Sequence, residues 1–209
     1  MEQQPLHLLD WFHLLHRHFQ PYTLEGSGNY TTIQAAVDNA SPGDTIIVYP
    51  GTYTEVIDVD VANLTIRSLS GNPDDTIVRT FSPSHNFKVI ANNVTISGFN
   101  ITGEGYYTGV FITGVSGVNI INNKFSGNDC AIQMESSGGC NLINNTVSDS
   151  TSYGFYLSSP SNCLLANNTI SNTEYQGIYL YYSGSCGLTG NTVSDTGYEG
   201  IYLSNSESF

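Results

Sequence analysis

The apolar and polar positions of residues 94–209 repeat about every 23 residues. One segment starts at residues 94, 118, 140, 163 and 186, where it reads VTISGFNIT, VNIINNKFS, CNLINNTVS, CLLANNTIS and CGLTGNTVS. A shorter segment starts at residues 109, 131, 154, 177 and 200, where it reads GVFI, AIQM, GFYL, GIYL and GIYL. Repeats this short, and this rich in Thr, Val, Ile, Tyr and Gly, are typical of strands rather than helices. The pattern therefore predicts an all-β solenoid in which each repeat forms one coil.

Stacked coils place each residue about 4.8 Å from its equivalent in the previous coil, the normal distance between strands. The short segments then supply two apolar columns that must point inward: Val110, Ile132, Phe155, Ile178 and Ile201, and Ile112, Met134, Leu157, Leu180 and Leu203. Because strand side chains alternate between faces, the residues between these columns point outward. These outward residues are Phe111, Gln133, Tyr156, Tyr179 and Tyr202.

Asparagine pairs at 122–123, 144–145 and 167–168 mark the bend after the longer segment. Asn tolerates left-handed backbone geometry, and its amide can hydrogen-bond to an Asn stacked in the next coil. We therefore expect a structural asparagine ladder. Seven Asn-x-Ser/Thr motifs fit a surface protein, and they start at Asn29, Asn39, Asn63, Asn93, Asn100, Asn144 and Asn167. The ladder would make Asn144 and Asn167 poor glycan acceptors.

Three cysteines follow the same spacing as the repeat. The inward column at the start of the longer segment is Val94, Val118, Cys140, Cys163 and Cys186. Buried cysteine behaves as a small apolar residue, so we expect free thiols in the core. The distance between neighbouring coils also fits a disulfide, which is the alternative. Cys130 lies outside this column, and the sequence leaves its state open.

Residues 1–25 differ in character from the repeats. Apolar residues recur there at helical spacing, namely Leu8, Trp11, Phe12, Leu15 and Phe19. We interpret this segment as a leader or capping helix over the first coil, and we expect the solenoid domain to span residues 26–209. The alternatives are a metal site formed by His13, His16 and His18, or a helix lying on a membrane surface.

Composition narrows the range of partners. The chain has 18 Asp and Glu against 5 Lys and Arg, a formal net charge of −13. No nucleic acid is expected as a partner, and polyanionic sugars are disfavoured, because both need clustered positive charge. No apolar run is long enough for a membrane span, and no secretion signal is visible at the N-terminus. The abundance of Asn, Ser, Thr, Gly and Tyr is nevertheless typical of exported β-proteins, so we expect an extracellular or cell-surface location.

The segment TTIQAAVDNASPGDTIIVYPGTYTE starts at residue 31 with a short helical pattern, followed by a Pro-Gly-Asp turn and a strand at 45–48. Together with VANLTIRS at residue 61, it resembles the N-terminal cap of pectin-lyase-like right-handed parallel β-helices. With the INNT and GIYL repeats, residues 26–209 are similar to the right-handed β-helix repeat family. That family includes NosD-type periplasmic proteins and carbohydrate-binding or sugar-hydrolase β-helices.

This resemblance implies a right-handed parallel β-helix, a single-stranded solenoid of about seven coils with an N-terminal α-helical cap. It says less about function, because lyases, hydrolases, epimerases, adhesins and accessory proteins share the fold. NosD-type proteins are associated with copper delivery, but the repeats of this sequence offer no ligand set for copper.

The outward tyrosines suggest a binding surface. Tyr156, Tyr179 and Tyr202 would form a ladder, with Tyr175 and Tyr198 just before the same strand. Regularly spaced rings on a flat sheet can pack against sugar rings while their hydroxyls form hydrogen bonds. We therefore predict a non-catalytic module that binds carbohydrate or a surface protein through these residues. The alternative is that the tyrosines only stack on one another, because Tyr favours strands.

A second hypothesis is a polysaccharide lyase or glycoside hydrolase. Asp58 and Asp60 share the outer face of one strand, and Arg67 is expected to point outward from the next. Paired carboxylates, or acids beside a basic group, are what such chemistry requires. Asp149 and Asp195 form an acidic column that could hold Ca²⁺ at a coil corner. No other cofactor is expected.

The sequence stops at GIYLSNSESF, after the first strand of a coil whose second half does not follow. We therefore expect that the domain is truncated at its C-terminus and that further coils belong to a longer gene product. An uncovered solenoid end exposes unpaired backbone groups, which predicts end-to-end association.

Overall fold

The structure, a computed structural model, describes residues 22–24, 29–81 and 84–205. This part of the chain forms a parallel β-helix of seven coils, and every coil contributes one strand to each of three sheets. Sheet A contains β3 (Thr45–Val48), β6 (Thr65–Ser68), β9 (Thr95–Ser97), β12 (Asn119–Ile121), β15 (Asn141–Ile143), β18 (Leu164–Ala166) and β21 (Gly187–Thr189). Sheet B contains β4 (Gly51–Thr54), β7 (Thr76–Arg79), β10 (Asn100–Thr102), β13 (Lys124–Ser126), β16 (Thr146–Ser150), β19 (Thr169–Thr173) and β22 (Thr192–Thr196). Sheet C contains β5 (Ile57–Val59), β8 (His85–Val89), β11 (Thr108–Thr113), β14 (Ile132–Glu135), β17 (Phe155–Ser158), β20 (Ile178–Tyr181) and β23 (Ile201–Ser204).

The strand register confirms the predicted stacking of like on like. In sheet C, Tyr156 pairs with Tyr179 and Tyr179 pairs with Tyr202. The two apolar columns on either side are fully buried from β11 through β20. Alternation within each strand therefore separates an enclosed aliphatic interior from an outer face that carries the tyrosines.

The longer repeat segment forms two strands, where the sequence indicated one strand followed by a bend. In the coil that starts at Cys140, the strand β15 ends at Ile143, and β16 begins at Thr146 in a different sheet. Asn144 between them has a φ of 55°, the left-handed conformation that Asn adopts more easily than most residues. A two-residue corner is enough to change sheets, which gives each coil its third strand.

The second residue of each asparagine pair forms the ladder. The buried column is Asn123, Asn145 and Asn168, and Asn191 continues it in the next coil. The Oδ1 of Asn168 accepts the backbone N–H of Asn145 at 2.9 Å, while the Nδ2 of Asn168 donates to the carbonyl of Leu142 at 2.8 Å. The predicted ladder is thus confirmed. The first residues of the pairs, Asn144 and Asn167, point outward and are exposed, so the expectation that the ladder occupies them is wrong.

The N-terminal end of the solenoid is covered by a short helix and a hairpin. The helix α1 (Ile33–Asp38) buries Ile33, Ala36 and Val37 on the face that the sequence predicted. The Glu55 carboxylate accepts the backbone N–H groups of Ile33 at 3.0 Å and Gln34 at 2.9 Å, which holds the start of α1 on the first coil.

Strand β1 (Tyr22–Leu24) pairs antiparallel with β2 (Asn29–Tyr30) and with β3 of sheet A. The end of the predicted 1–25 helix is therefore a strand, because the first strand of sheet A offers an edge with unpaired backbone groups. The helical pattern of residues 1–21, including His13, His16 and His18, lies outside the described residues.

All four cysteines are free and buried, as predicted for the three in the repeat column. Cys140, Cys163 and Cys186 lie in consecutive coils, and each thiol donates to the backbone carbonyl two residues earlier, at 3.4, 3.5 and 3.6 Å respectively. The side-chain interaction between Cys163 and Cys140 raises the pKa of Cys163 to about 11 and lowers the pKa of Cys140. Burial raises the pKa of the Cys130 thiol. The column is thus a line of mostly protonated thiols.

The last described coil leaves its apolar columns open. Ile201 and Leu203 are 43% and 42% exposed, whereas Ile178 and Leu180 in the previous coil are fully buried. End-to-end association at this surface remains a prediction.

Candidate functional site: a tyrosine surface on sheet C

Eight tyrosines gather on and beside the outer face of sheet C in the last three described coils, and we call this group the tyrosine surface. Its members are Tyr153, Tyr156, Tyr175, Tyr179, Tyr181, Tyr182, Tyr198 and Tyr202. Their ring centroids lie between 4.4 and 6.3 Å from those of their neighbours. The five tyrosines predicted from the sequence are all present in this one connected group.

The centre of the surface is the outward column of sheet C. The rings of Tyr156 and Tyr179 meet edge to face, with centroids 5.4 Å apart, and the rings of Tyr179 and Tyr202 lie 5.2 Å apart. Such offset and edge-on arrangements are the favoured geometries for aromatic pairs. Tyr156 and Tyr179 are half-buried, so they form a platform more than a contact surface.

A second row of rings lies beside this column. Tyr153 stacks on Tyr175 at 5.5 Å, and Tyr175 stacks on Tyr198 at 5.5 Å with an interplanar angle of 21°. On the opposite side of the column, Tyr181 and Tyr182 meet edge to face at 4.4 Å. The surface is therefore three rows wide.

Sequence reasoning missed the role of Tyr153. Its register position is occupied by Gln176 and Glu199 in the next two coils, so the repeat alignment shows no tyrosine column there. Its ring bridges the central column and the outer row, contacting Tyr156 at 5.2 Å and Tyr179 at 5.7 Å. Burial raises the pKa of Tyr153, so its hydroxyl stays protonated at neutral pH.

Four rings of the surface face solvent. Tyr198 is 61% exposed, Tyr182 57%, Tyr175 43% and Tyr202 39%. An exposed group of this size exceeds the scattered aromatic residues of an ordinary surface. These four are the rings that a ligand would reach first.

The electrostatic surroundings of the tyrosine surface are acidic. No Lys or Arg occurs after Lys124, whereas Glu174 and Glu199 lie next to the exposed rings in sequence. The Glu199 carboxylate accepts a hydrogen bond from Gln176 at 2.9 Å, which lowers its pKa. The hydrogen bond between Tyr181 and Tyr182 raises the pKa of Tyr181, so its phenol stays neutral. The surface thus combines neutral hydroxyls with negative charge.

The predicted catalytic residues are only partly brought together. Asp58 lies on the outer face of sheet C and Asp60 follows it, both exposed, but Arg67 lies on β6 in sheet A. What lies beside Asp58 is His85, whose Nε2 is 4.0 Å from the Asp58 Oδ1, and Lys88, its partner in the strand register. Burial lowers the pKa of His85 more than the nearby Asp58 raises it. Sequence reasoning missed His85 because the first coils depart from the 23-residue spacing.

The predicted calcium residues are corner residues of sheet B. Asp149, Asn172 and Asp195 have φ values of 59°, 52° and 51°, and each sits within its strand at the same position of successive coils. Asn172 donates its Nδ2 to the Asp149 Oδ1 at 2.6 Å. This contact explains the column as a turn with stacked polar side chains, and calcium there remains a prediction.

A shallow groove lies at the corner of sheets A and B. Its walls are Pro73, Asp74, Asn122, Asn123, Lys124, Asn144 and Thr146, around a volume of about 380 Å³. The Lys124 Nζ lies 2.9 Å from the Asp74 Oδ1, so the basic group of the groove is already paired.

The three parallel sheets place the protein in the class of parallel β-helix proteins. More specifically, residues 37–209 match the model of the family of NosD, a periplasmic copper-binding protein, and the chain belongs to this family. Over 102 residues it is 39% identical to a cell surface glycoprotein of Methanothermus fervidus. That match spans 48% of this chain and only 16% of the relative.

Solved structures share the fold at low identity. The ORF18 protein of Geobacillus virus E2 superimposes with a TM-score of 0.68 at 15% identity, covering 83% of this chain and 44% of that one. A GH87 alpha-1,3-glucanase catalytic domain, solved with tetrasaccharides, gives a TM-score of 0.59 at 16% identity and covers 78% and 34%. A pectin methylesterase from Yersinia enterocolitica gives 0.56 at 12% identity and covers 85% and 90%. These matches confirm the predicted β-helix fold.

The copper named in the family description does not fit the described residues. No group of three or more His, Cys, Asp or Glu side chains among them is placed to hold a metal ion. The thiols of Cys140, Cys163 and Cys186 lie in a line, one per coil, and metal ligation would need them as thiolates that converge on one point. Within the same residues, no helix is long and apolar enough to cross a membrane.

Proposed function

We propose that this protein is an exported, cell-surface β-helix module that binds carbohydrate, or a protein partner, through the tyrosine surface, without catalysing a reaction. The observation that carries this proposal is the connected group of eight tyrosine rings on sheet C, four of them well exposed. The match to a cell surface glycoprotein and the periplasmic description of the family support a location outside the cytoplasm.

The chemistry of the rings favours a sugar ligand. Tyrosine presents an apolar ring and a hydroxyl that donates and accepts hydrogen bonds, which suits a sugar with an apolar face and a polar rim. Rings held by stacking lose little conformational freedom when a ligand binds. The half-buried rings of Tyr156 and Tyr179 thus hold the outer rings in place before a ligand binds.

The charge of the surface selects among sugars. Glu174 and Glu199 lie beside the exposed rings, and Lys and Arg are absent from residues 125–209. A carboxylated or sulfated glycan would meet like charge with no basic group to pair with. We therefore expect neutral or amino sugars to bind more tightly than uronic acid polymers.

A glycan array tests this proposal directly. The array carries neutral, amino and acidic oligosaccharides, and it is probed with the parent protein and with Tyr198→Ala. We expect at least one neutral or amino glycan to bind the parent, with a signal that falls at least fivefold in the variant. Tyr106→Ala is the matched control, because Tyr106 is 81% exposed and belongs to no part of the tyrosine surface. Binding that survives in Tyr198→Ala, or that is lost equally in Tyr106→Ala, would count against this site.

A polysaccharide lyase or glycoside hydrolase is the second candidate function, and one observation favours it. Asp58 lies beside His85 and Lys88 on the outer face of sheet C, where an acid and a base share one surface. Product formation from polysaccharides in the presence of Ca²⁺, lost in Asp58→Ala, would support catalysis over binding. A Ca²⁺-dependent rise in Tm that disappears in Asp149→Asn would support calcium at the sheet B corner.

A further inference from the structure

The outward asparagines at the corner of sheets A and B have side-chain amides that take no part in the buried ladder. Asn144 and Asn167 are exposed, with φ values of 55° and 54°, and each precedes a buried ladder residue. The backbone N–H of each is bonded to the next coil, to Ala166 and Thr189 respectively. Their side-chain amides have no hydrogen-bond partner within the described part of the chain. Each amide is thus held at a fixed corner and left open to solvent.

The residues that follow complete an acceptor motif. Asn144 is followed by Asn145 and Thr146, and the same Asn-Asn-Thr triplet recurs one coil later. Both threonines are exposed at the first position of a sheet B strand. Since Asn-x-Ser/Thr is the recognition unit for N-linked glycosylation, the amide and the hydroxyl that a transferase must reach are accessible together.

We propose that Asn144 and Asn167 are N-glycosylation sites. An oligosaccharyltransferase would transfer a glycan from a lipid-linked oligosaccharide pyrophosphate to the side-chain Nδ2. A bond forms between the Nδ2 and the anomeric carbon as the bond from that carbon to the pyrophosphate oxygen breaks. One amide proton passes to a base of the transferase, and the lipid pyrophosphate leaves. No oxidation or reduction is involved.

The position of these sites separates them from the tyrosine surface. The corner between sheets A and B is the one corner of the coil to which sheet C does not contribute, so a glycan there leaves the exposed rings uncovered. The two sites lie in neighbouring coils, whose strands are about 4.8 Å apart. A glycan on one site would crowd the other, so single occupancy should dominate over double occupancy.

The same corner contains an equivalent asparagine that lacks the acceptor motif. Asn122 occupies the equivalent position one coil earlier, is exposed, and has a φ of 56°, but Lys124 stands where the motif needs Ser or Thr. Lys124→Thr would complete the motif at a corner of matching geometry. It removes only the exposed ion pair with Asp74, and exposed ion pairs contribute little to stability.

Mass spectrometry of glycopeptides tests the proposal. The chain is expressed with an export signal in a host with N-linked glycosylation, whose activity is verified on a carrier glycoprotein in the same cells. We expect glycan on Asn144 or Asn167, loss of at least nine-tenths of it in the Asn144→Gln/Asn167→Gln double variant, and new glycan on Asn122 in Lys124→Thr. Unmodified Asn144 and Asn167 while the carrier is modified would overturn the proposal, as would an unmodified Asn122 in Lys124→Thr. The tyrosine-dependent glycan binding is measured separately on the same variants, so either idea can fail alone.

Discussion

The backbone N–H of Asn145 donates to the Oδ1 of Asn168 in the next coil at 2.9 Å. The same side chain donates its Nδ2 to the carbonyl of Leu142 at 2.8 Å. Because Asn168 is fully buried, both backbone groups depend on it in place of water. The ladder therefore supplies hydrogen-bond partners for buried backbone groups at the corner where the chain passes from sheet A to sheet B.

Replacing this residue should be costly. We expect Asn168→Leu to lower the free energy of unfolding by about 2–5 kcal/mol, because two buried backbone groups lose their partners. Urea denaturation followed by far-UV circular dichroism measures the change. The matched control is Asn167→Gly, since glycine occupies the same corner position at Gly98 and Gly190 and accepts the left-handed backbone. Equal losses in both variants would contradict a specific role for the ladder.

The glycine just before strand β17 should also be sensitive to substitution. A Cβ on Gly154 would lie 2.6 Å from a methyl carbon of Ile170 and even closer to the carbonyl oxygen of Gly177. We expect Gly154→Ala to destabilise the protein by about 1–3 kcal/mol, the usual range for overpacking. Thermal unfolding of Gly154→Ala and Gly184→Ala checks this, because a Cβ on Gly184 would meet nothing within 4 Å. A lower Tm for Gly184→Ala than for Gly154→Ala would show that the spacing between coils differs from the structure.

The thiol column predicts slow and pH-dependent labelling. The side-chain interaction with Cys140 raises the pKa of Cys163 to about 11, and burial also raises the pKa of Cys130. We expect a thiol reagent at pH 8 to modify the native protein at least a hundredfold more slowly than the urea-unfolded protein, where all four thiols are accessible. Labelling followed by peptide mass spectrometry measures this. Rapid native labelling of Cys163 would contradict a closed core.

The same pKa shift makes the free energy of unfolding depend on pH. The folded state holds its thiol protons more tightly than the unfolded state, whose thiols titrate near 9.0. Between pH 9 and pH 11 the unfolded state therefore binds fewer protons, and stability falls as pH rises. We expect the urea midpoint to decrease from pH 8 to pH 10.5, and to decrease less in Cys163→Ala. An unchanged midpoint in the parent would contradict this assignment.

Much of this fold could be predicted because the repeat of about 23 residues places equivalent residues at the same position of each coil. The columns of sheet C follow from aligning GFYL with GIYL, and the inward position of Cys163 follows from its place opposite Val118. The division of INNT segments into two strands was not visible, since an Asn pair marks a bend without stating how many residues it needs. In the folded protein, the first Asn of each pair turns the chain and the second enters the core.

The site was predictable only in part, because only some of its residues follow the repeat. Tyr156, Tyr179 and Tyr202 repeat with the coil, so their common face follows from alternation. Tyr153 does not repeat, and its contact with Tyr175 depends on the path of the turn before β17. Arg67 follows Asp58 closely in sequence, but the strand that carries it belongs to sheet A, whereas Asp58 lies in sheet C. Residues in irregular turns and early coils escape a repeat-based alignment.

Sugar ligands should contact the exposed rings of the tyrosine surface, and NMR of ¹³C-labelled tyrosine rings can observe that contact ring by ring. A neutral oligosaccharide selected on the array is titrated into the protein while each ring is observed. We expect concentration-dependent shifts for the rings of Tyr175, Tyr182, Tyr198 and Tyr202, with Tyr106 unchanged. Ring signals that stay constant across the titration, or shifts confined to Tyr106, would contradict it.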